Sequence, residues 1–203
     1  MANIMEVNYQ EIPGKANQIQ QLGEQLNSEV TTAWNNVNDL RGTWHGTRYN
    51  VLISYFNKAT DSINAILRMV IDEIPTALGT VAMNYAKADG QSVASVGAGN
   101  ITAIQTLADS DTSTMAYQSS AAAAVQSQVN TNFSNAEKCM NDIETTFASI
   151  TWESEAKRAF QERFSSLKAQ IIDELNEINK QFTALMQASQ ADIEGAETAN
   201  TVE

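Results

Sequence analysis

The sequence predicts an all-α protein, two long helical hairpins packed as an elongated four-helix bundle, and three observations predict it. Gly (9) and Pro (2) are sparse among the 203 residues, and no run of β-branched residues alternates with polar ones as a half-buried strand requires. Apolar residues recur instead at steps of three and four over four long stretches. Finally, a Thr-Trp-any-small tetrad occurs twice, as Thr43-Trp44-His45-Gly46 and Thr151-Trp152-Glu153-Ser154, with Trp44 and Trp152 offset by 108 positions. A self-similarity of that length marks two related halves. The expected organisation is a first hairpin over 1–89, a linker over 90–112 and a second, degenerate hairpin over 113–203.

The elements follow in order. Residues 1–13 lead into a helix entered at Pro13-Gly14. From about Lys15 to Arg41 the stripe is Ile19, Leu22, Leu26, Val30, Ala33, Val37 and Leu40, with Trp34 one step off it. Gly42 is placed to end this helix as a left-handed cap. In each tetrad the Thr is expected to cap the following helix and the Trp to stand at its first position. Gly46 and Ser154 would leave room for the opposing backbone. The second stripe runs from Leu52 through Phe56, Ile63, Leu67, Val70, Ile74, Leu78 and Val81 to Tyr85, with the small Ala59 and Thr60 filling a missed step. Pro75 inside it is expected to kink the helix near Asp72–Ile74, a full break being the alternative.

Periodicity lapses from Asp89 to Thr112, where Gly90, Gly97 and Gly99 read as a linker, with a short helical piece over Asn100–Leu107 docking Ile101, Ile104 and Leu107. The second hairpin starts near Ser113. Its stripes are Val125, Val129, Phe133, Ala136, Met140, Ile143, Phe147, then Phe160, Phe164, Leu167, Ile171, Leu175, Ile178, Phe182, Leu185. The polar, acidic stretch beyond Gln190 is expected to fray. One hairpin alone leaves its apolar seam uncovered, and two packed seam to seam close it.

Charge and composition exclude several function classes. The net charge of −12 disfavours nucleic acid and anionic lipid as partners. The single cysteine, Cys139, permits no intramolecular disulfide and falls within an apolar-periodic stretch, as a buried thiol would. The N-terminal MANIMEVNYQ has neither the basic nor the apolar region of a cleavable signal. The one histidine, His45, has no second ligand at metal spacing, and Gly97-Ala98-Gly99 follows no strand, so neither a metal nor a phosphate loop is expected. No catalytic constellation, cofactor site or metal site emerges, and the expectation is a protein that is not an enzyme.

A different signal is present. Tyr85 and Asp89, at i and i+4, lie one above the other at the end of the second helix. Helix, Trp44-His45-Gly46 turn, helix, then Tyr85-x-x-x-Asp89 resembles the WXG proteins, the small ESX-type substrates of type VII secretion. The likeness covers about residues 10–89. The second half resembles a degenerate copy, with Trp152-Glu153-Ser154 at its turn and Ile193 and Glu197 at the positions matching Tyr85 and Asp89. The resemblance implies export without a cleavable signal, with Tyr85 and Asp89 read by the secretion ATPase, and other WXG-like proteins as further candidate partners. It also implies that this chain combines in one polypeptide what the family forms as a dimer of hairpins, and because the two seams satisfy one another within one chain, a monomer is expected. The function expected is a secreted, non-enzymatic substrate in a virulence-associated or partner-escorting role, cytoplasmic before export. An intracellular helical adaptor is the alternative, and a membrane-active protein whose hairpins open is a third.

Overall fold

The computed structural model describes residues 7–200, and within them the chain is all-α apart from one two-residue β-bridge. Helix α1 spans Ile12–Asp39 with Pro13 in its first turn, where a missing N–H costs nothing. A 3-10 turn, Leu40–Gly42, and the short strand β1, Trp44–His45, lead to α2, Thr47–Arg68. A π-helical turn, Met69–Glu73, joins α2 to α3, Ile74–Ala88, without a break. Strand β2 is Ala116–Tyr117, followed by α4, Ser119–Ala148, and α5, Glu155–Ala199. The N-terminal expectation falls largely on residues 1–6, outside the described residues. No helix among those described is long and apolar enough to cross a membrane.

The four stripes form one buried cluster. Helix α1 lies against α4, α2 against α5, and α1 also against α3. The two hairpins run antiparallel, since the end of α1 meets the start of α4 (Gln118 N–H to Thr43 O, 2.9 Å) and the residues before α1 meet the end of α4 (Asn8 N–H to Thr151 O, 3.1 Å). Trp34, 3 % exposed, joins the core edge-on to Phe56 at 4.8 Å. Ala59 and Thr60 are buried in the missed step, and Cys139 is buried, which raises its thiol pKa.

Pro75 neither breaks the helix nor leaves a carbonyl stranded. A proline cannot bond the carbonyl four residues back and crowds it. The π-turn widens the helix at that point. The Ile71 carbonyl is satisfied from outside by the Gln20 amide (Nε2, 3.0 Å) and by the Gly99 N–H (3.4 Å). A Cβ on Gly99 would stand 2.6 Å from Ile71, so only glycine lets that backbone come close enough.

Several expectations need correction. Residues 100–107 are not helical. Residues 97–110 are laid as a strap over α1, α2 and the π-turn, with Ile104 buried, Leu107 half-buried and Ile101 exposed. Four asparagines hold it, each donating to and accepting from one residue's backbone: Asn27 with Thr102 (2.7 and 2.8 Å), Asn64 with Ile104 (2.9 and 2.8 Å), Asn57 with Leu107 (2.9 and 2.7 Å), Asn50 with Ser110 (3.1 and 2.8 Å). These amides supply the hydrogen bonds that a helix would have made internally, so the segment can stay extended without orphaned groups. Helix α4 starts at Ser119 rather than near Ser113, because residues 116–118 are engaged at the first turn. Helix α5 continues to Ala199, well past Gln190. Gly42 is not left-handed; the positive-φ residues described are Gly46 and Gly90.

Candidate functional site

Both tetrads stand at hairpin turns, but their caps lie three residues later than expected. Thr43 does not cap α2. Its hydroxyl donates back to Leu40 O, and Trp44-His45 stay extended, pairing antiparallel with Tyr117 and Ala116. Gly46 is the residue before α2, at φ 107°, a conformation L side chains resist. Its N–H donates to the buried Ser110 hydroxyl at 2.9 Å, so the strap's last anchor also fixes the turn. Trp44 is 1 % exposed amid rings, 5.3 Å from Tyr117, 5.8 Å from Phe182 and 6.3 Å from Tyr49.

At the second turn Ser154 is extended, and its Oγ accepts the Lys157 N–H at 3.0 Å, an ordinary N-cap. Trp152 is 5 % exposed. Below each turn a buried side chain of the second helix ties down a carbonyl of the segment before it. Tyr49 donates from its hydroxyl to Val37 O at 3.0 Å, and at the equivalent position Lys157 donates from Nζ to Ile150 O at 2.7 Å. Burial pushes the Tyr49 hydroxyl up to about 12.

The turns are braced reciprocally. Residues 116–118, just before α4, cover the first turn, and residues 8–11, just before α1, cover the second: besides the Asn8 bond, Thr151 N–H donates to Glu11 Oε1 at 3.0 Å. Sequence reasoning missed both braces, yet a signal existed. Tyr9-Gln10 and Tyr117-Gln118 are the same dipeptide at the same 108-residue offset as the two Trp.

Tyr85 and Asp89 are at the far end of this path from the first turn. An unbroken helical run from Thr47 to Ala88 separates them from Gly46 by on the order of 60 Å at 1.5 Å per residue. They sit instead at the end of the molecule that holds Trp152. Asp89 ends α3, and Gly90, at φ 67°, closes it with Gln91 N–H to Ala86 O (2.8 Å) and Gly90 N–H to Lys87 O (3.2 Å). The Asp89 carboxylate is exposed but accepts a hydrogen bond from the Tyr9 hydroxyl, which raises the Tyr9 pKa. Tyr85 is half-buried and packs on the core. The structure therefore gathers Asp89, Tyr9 and the Thr151–Ser154 turn around one lead-in, and leaves Trp44 and Gly46 at the other end. Ile193 and Glu197 lie on the last turns of α5, where Asp192 pairs with Arg48 of α2 at 3.0 Å.

Among the described residues, no three His, Cys, Asp or Glu side chains are grouped to hold a metal ion. Compared with known proteins, the chain matches no family model, and no curated protein or solved structure matches it significantly.

Proposed function

We propose that this chain is a non-enzymatic substrate of a type VII, ESX-like secretion system: two WXG-like hairpins fused into one elongated four-helix bundle that is exported as a folded monomer. The observation that carries the reading is the placement of Tyr85 and Asp89. They stand at i and i+4 on a helix end, with the carboxylate exposed and the ring half-buried, beside the turn of the other hairpin. Stability alone does not account for a carboxylate there, because negative charge at a helix C-terminus opposes the helix dipole. Reciprocal bracing of the turns supports the pseudo-dimer, since each half completes the other. The secretion ATPase would read this end, and Tyr85 and Asp89 would be the residues it contacts.

Secretion assays in a host carrying such a system test the reading. Asp89→Ala and Tyr85→Ala are expected to remain in the cytosol, whereas Glu197→Ala in the second copy is expected to be exported. Export of Asp89→Ala at the parental level would refute the signal. One observation favours a second reading, an intracellular helical adaptor: the Tyr9 hydroxyl gives Asp89 a partner within the fold. Tyr9→Phe tests what that contact contributes. Under the signal reading it is exported normally, and loss of export with intact Asp89 would mean that the bond, not the carboxylate, is what matters.

A further inference from the structure

We infer that each hairpin presents a docking surface for the opposite hairpin of a second copy of this chain, and that the strap is the device that holds the chain to its own. The contacts between the halves are complementary but not covalent. Helix α1 lies on α4 and α2 on α5, residues 116–118 cover the first turn and residues 8–11 the second. A second copy's hairpin offers the same surfaces, so the packing itself does not distinguish the two partners. The choice falls to the connection between the halves.

That connection has a long way to go. Helix α3 ends at Ala88, at the end of the molecule that holds Trp152, whereas α4 begins at Ser119, beside the first turn. Residues 89–118 must therefore travel the length of the α2–α3 run, on the order of 60 Å. A flexible linker of about 30 residues has an r.m.s. span of only about 30 Å. Left free, it would seldom bring the start of α4 to the first turn of its own copy, and the effective concentration of its own second hairpin would fall. Two exchanged bundles lying antiparallel need a much shorter crossing, because the Trp152 end of one then stands beside the Trp44 end of the other.

The asparagine ladder removes that freedom. Asn50, Asn57 and Asn64 recur every seven residues, about 10.5 Å along a helix. They hold Ser110, Leu107 and Ile104, which recur every three, about 10 Å of extended chain. The two pitches agree, so the strap lies extended and antiparallel to α2. Asn27 continues the line to Thr102, the Gln20 amide holds the Gly97 carbonyl at 2.8 Å, and Gly99 closes on Ile71. Each of these anchors lies in the first hairpin. The first hairpin thus delivers residue 111 to its own Trp44 turn without help from the second, and α4 enters at the seam it has to fill.

The test is refolding of the full chain from urea at protein concentrations from about 1 to about 100 µM, with the mass read by light scattering. The parent is expected to return as a monomer throughout. The triple variant Asn50→Ala, Asn57→Ala, Asn64→Ala places a good helix former at each position of α2 but frees the strap. It should raise the dimer fraction at the highest concentration about tenfold or more over the parent. Gly99→Ala, whose Cβ would meet Ile71 at 2.6 Å, should raise it less. Refolding a mixture of isotope-labelled and unlabelled chains identifies the exchange. An isotope-filtered NOE is expected between Trp34 of one chain and Phe133 of the other, rings that pack 6.3 Å apart across α1 and α4. Should the triple variant not recover its helix content by circular dichroism, Asn57→Ala alone carries the same test. A ladder variant that refolds with native helix content and stays monomeric at every concentration would overturn the inference. So would a dimer lacking the Trp34–Phe133 contact between chains, or a parent that dimerises as readily as the variant.

Discussion

Offset by 108 positions, Trp44 and Trp152 close their hairpins in different company. Around Trp44 the chain adds a β-bridge, three further aromatic rings, a left-handed glycine and the end of a strap. Around Trp152 it uses an N-cap serine, a buried lysine and two bonds to the lead-in of α1. Both turns perform the same task, reversing the chain and fixing the start of the second helix. One does it with backbone conformation and rings, the other with side-chain hydrogen bonds. The first solution leaves its helix start without a side-chain cap; the second caps it with Ser154.

The difference between the two turns is tested most directly at the indoles. Trp44→Ala removes the centre of an aromatic cluster and is expected to cost about 3–5 kcal/mol, whereas Trp152→Ala should cost about 2–4 kcal/mol. Chemical denaturation of both variants gives the order. If Trp152→Ala proves the more damaging, the ring cluster adds little and the two turns are closer in kind than their surroundings imply.

The residues after the indoles test the difference in backbone conformation. Gly46→Ala forces an L side chain to φ 107°, with Thr114 O 3.4 Å from its Cβ, and is expected to cost about 1–3 kcal/mol. Ser154→Ala loses one cap, about 1 kcal/mol, and Ser154→Gly only a few tenths. Equal losses for Gly46→Ala and Ser154→Gly in thermal melts would mean that the first turn can relax, and that its glycine is not required by the backbone.

Much of this was legible in the sequence. The four stripes needed only a count of three-and-four steps, because helix burial depends on that spacing and little else. The repeated Trp gave the turns, and Tyr85 with Asp89 the helix end. What was not legible shares one cause: it depends on contacts between residues far apart in the chain. Asn50, Asn57 and Asn64 fall every seven residues on one face of α2, a visible period, but a polar period reads as a solvated face until something is known to cover it. The strap itself carries glycine and no periodicity, which is also how a free linker reads. Its order comes from amides in α1 and α2, not from its own propensity. Arg158, Ser165 and Ile172 occupy the corresponding positions of α5, so the sequence encodes the amide ladder in the first hairpin alone. The cap positions failed for a related reason. Thr43 and Thr151 are good N-cap residues, but the bridge to 116–117, the Ser110 hydroxyl and the bonds from the α1 lead-in hold the tetrads outside the helices for three residues more.

Alkaline pH probes the buried side chains under the turns. Native Tyr49 holds its proton up to about pH 12 against 10.0 for a free phenol. The raised folded value means that this group's contribution is whole below about pH 10 and is lost as pH rises from about 10 to 12. Absorbance should show a late-titrating tyrosine, absent in Tyr49→Phe, and that variant should lose less stability over the same interval. If Tyr49→Phe falls as steeply as the parent, the alkaline loss arises elsewhere, Tyr117 being the next candidate because burial raises its pKa too.

The smallest effect is expected where the two halves differ in sequence rather than in turn construction, at Asp89 and Glu197. Asp89 is exposed, so removing its charge relieves the helix dipole slightly and gives up an exposed hydrogen bond from Tyr9. These contributions oppose one another, and Asp89→Ala should move stability by no more than about 0.5 kcal/mol, as surface changes usually do. Glu197 lies near the end of α5, where the same substitution should also stay within about 0.5 kcal/mol. Matched urea curves for the two variants, with circular dichroism to confirm helix content, establish whether both folds are unharmed. Only then does a difference in export between them speak to recognition. A loss of more than about 1.5 kcal/mol for Asp89→Ala would exceed what an exposed bond contributes. It would make the Tyr9–Asp89 contact a structural latch at the Trp152 end of the molecule, and the asymmetry between Asp89 and Glu197 would then be one of folding.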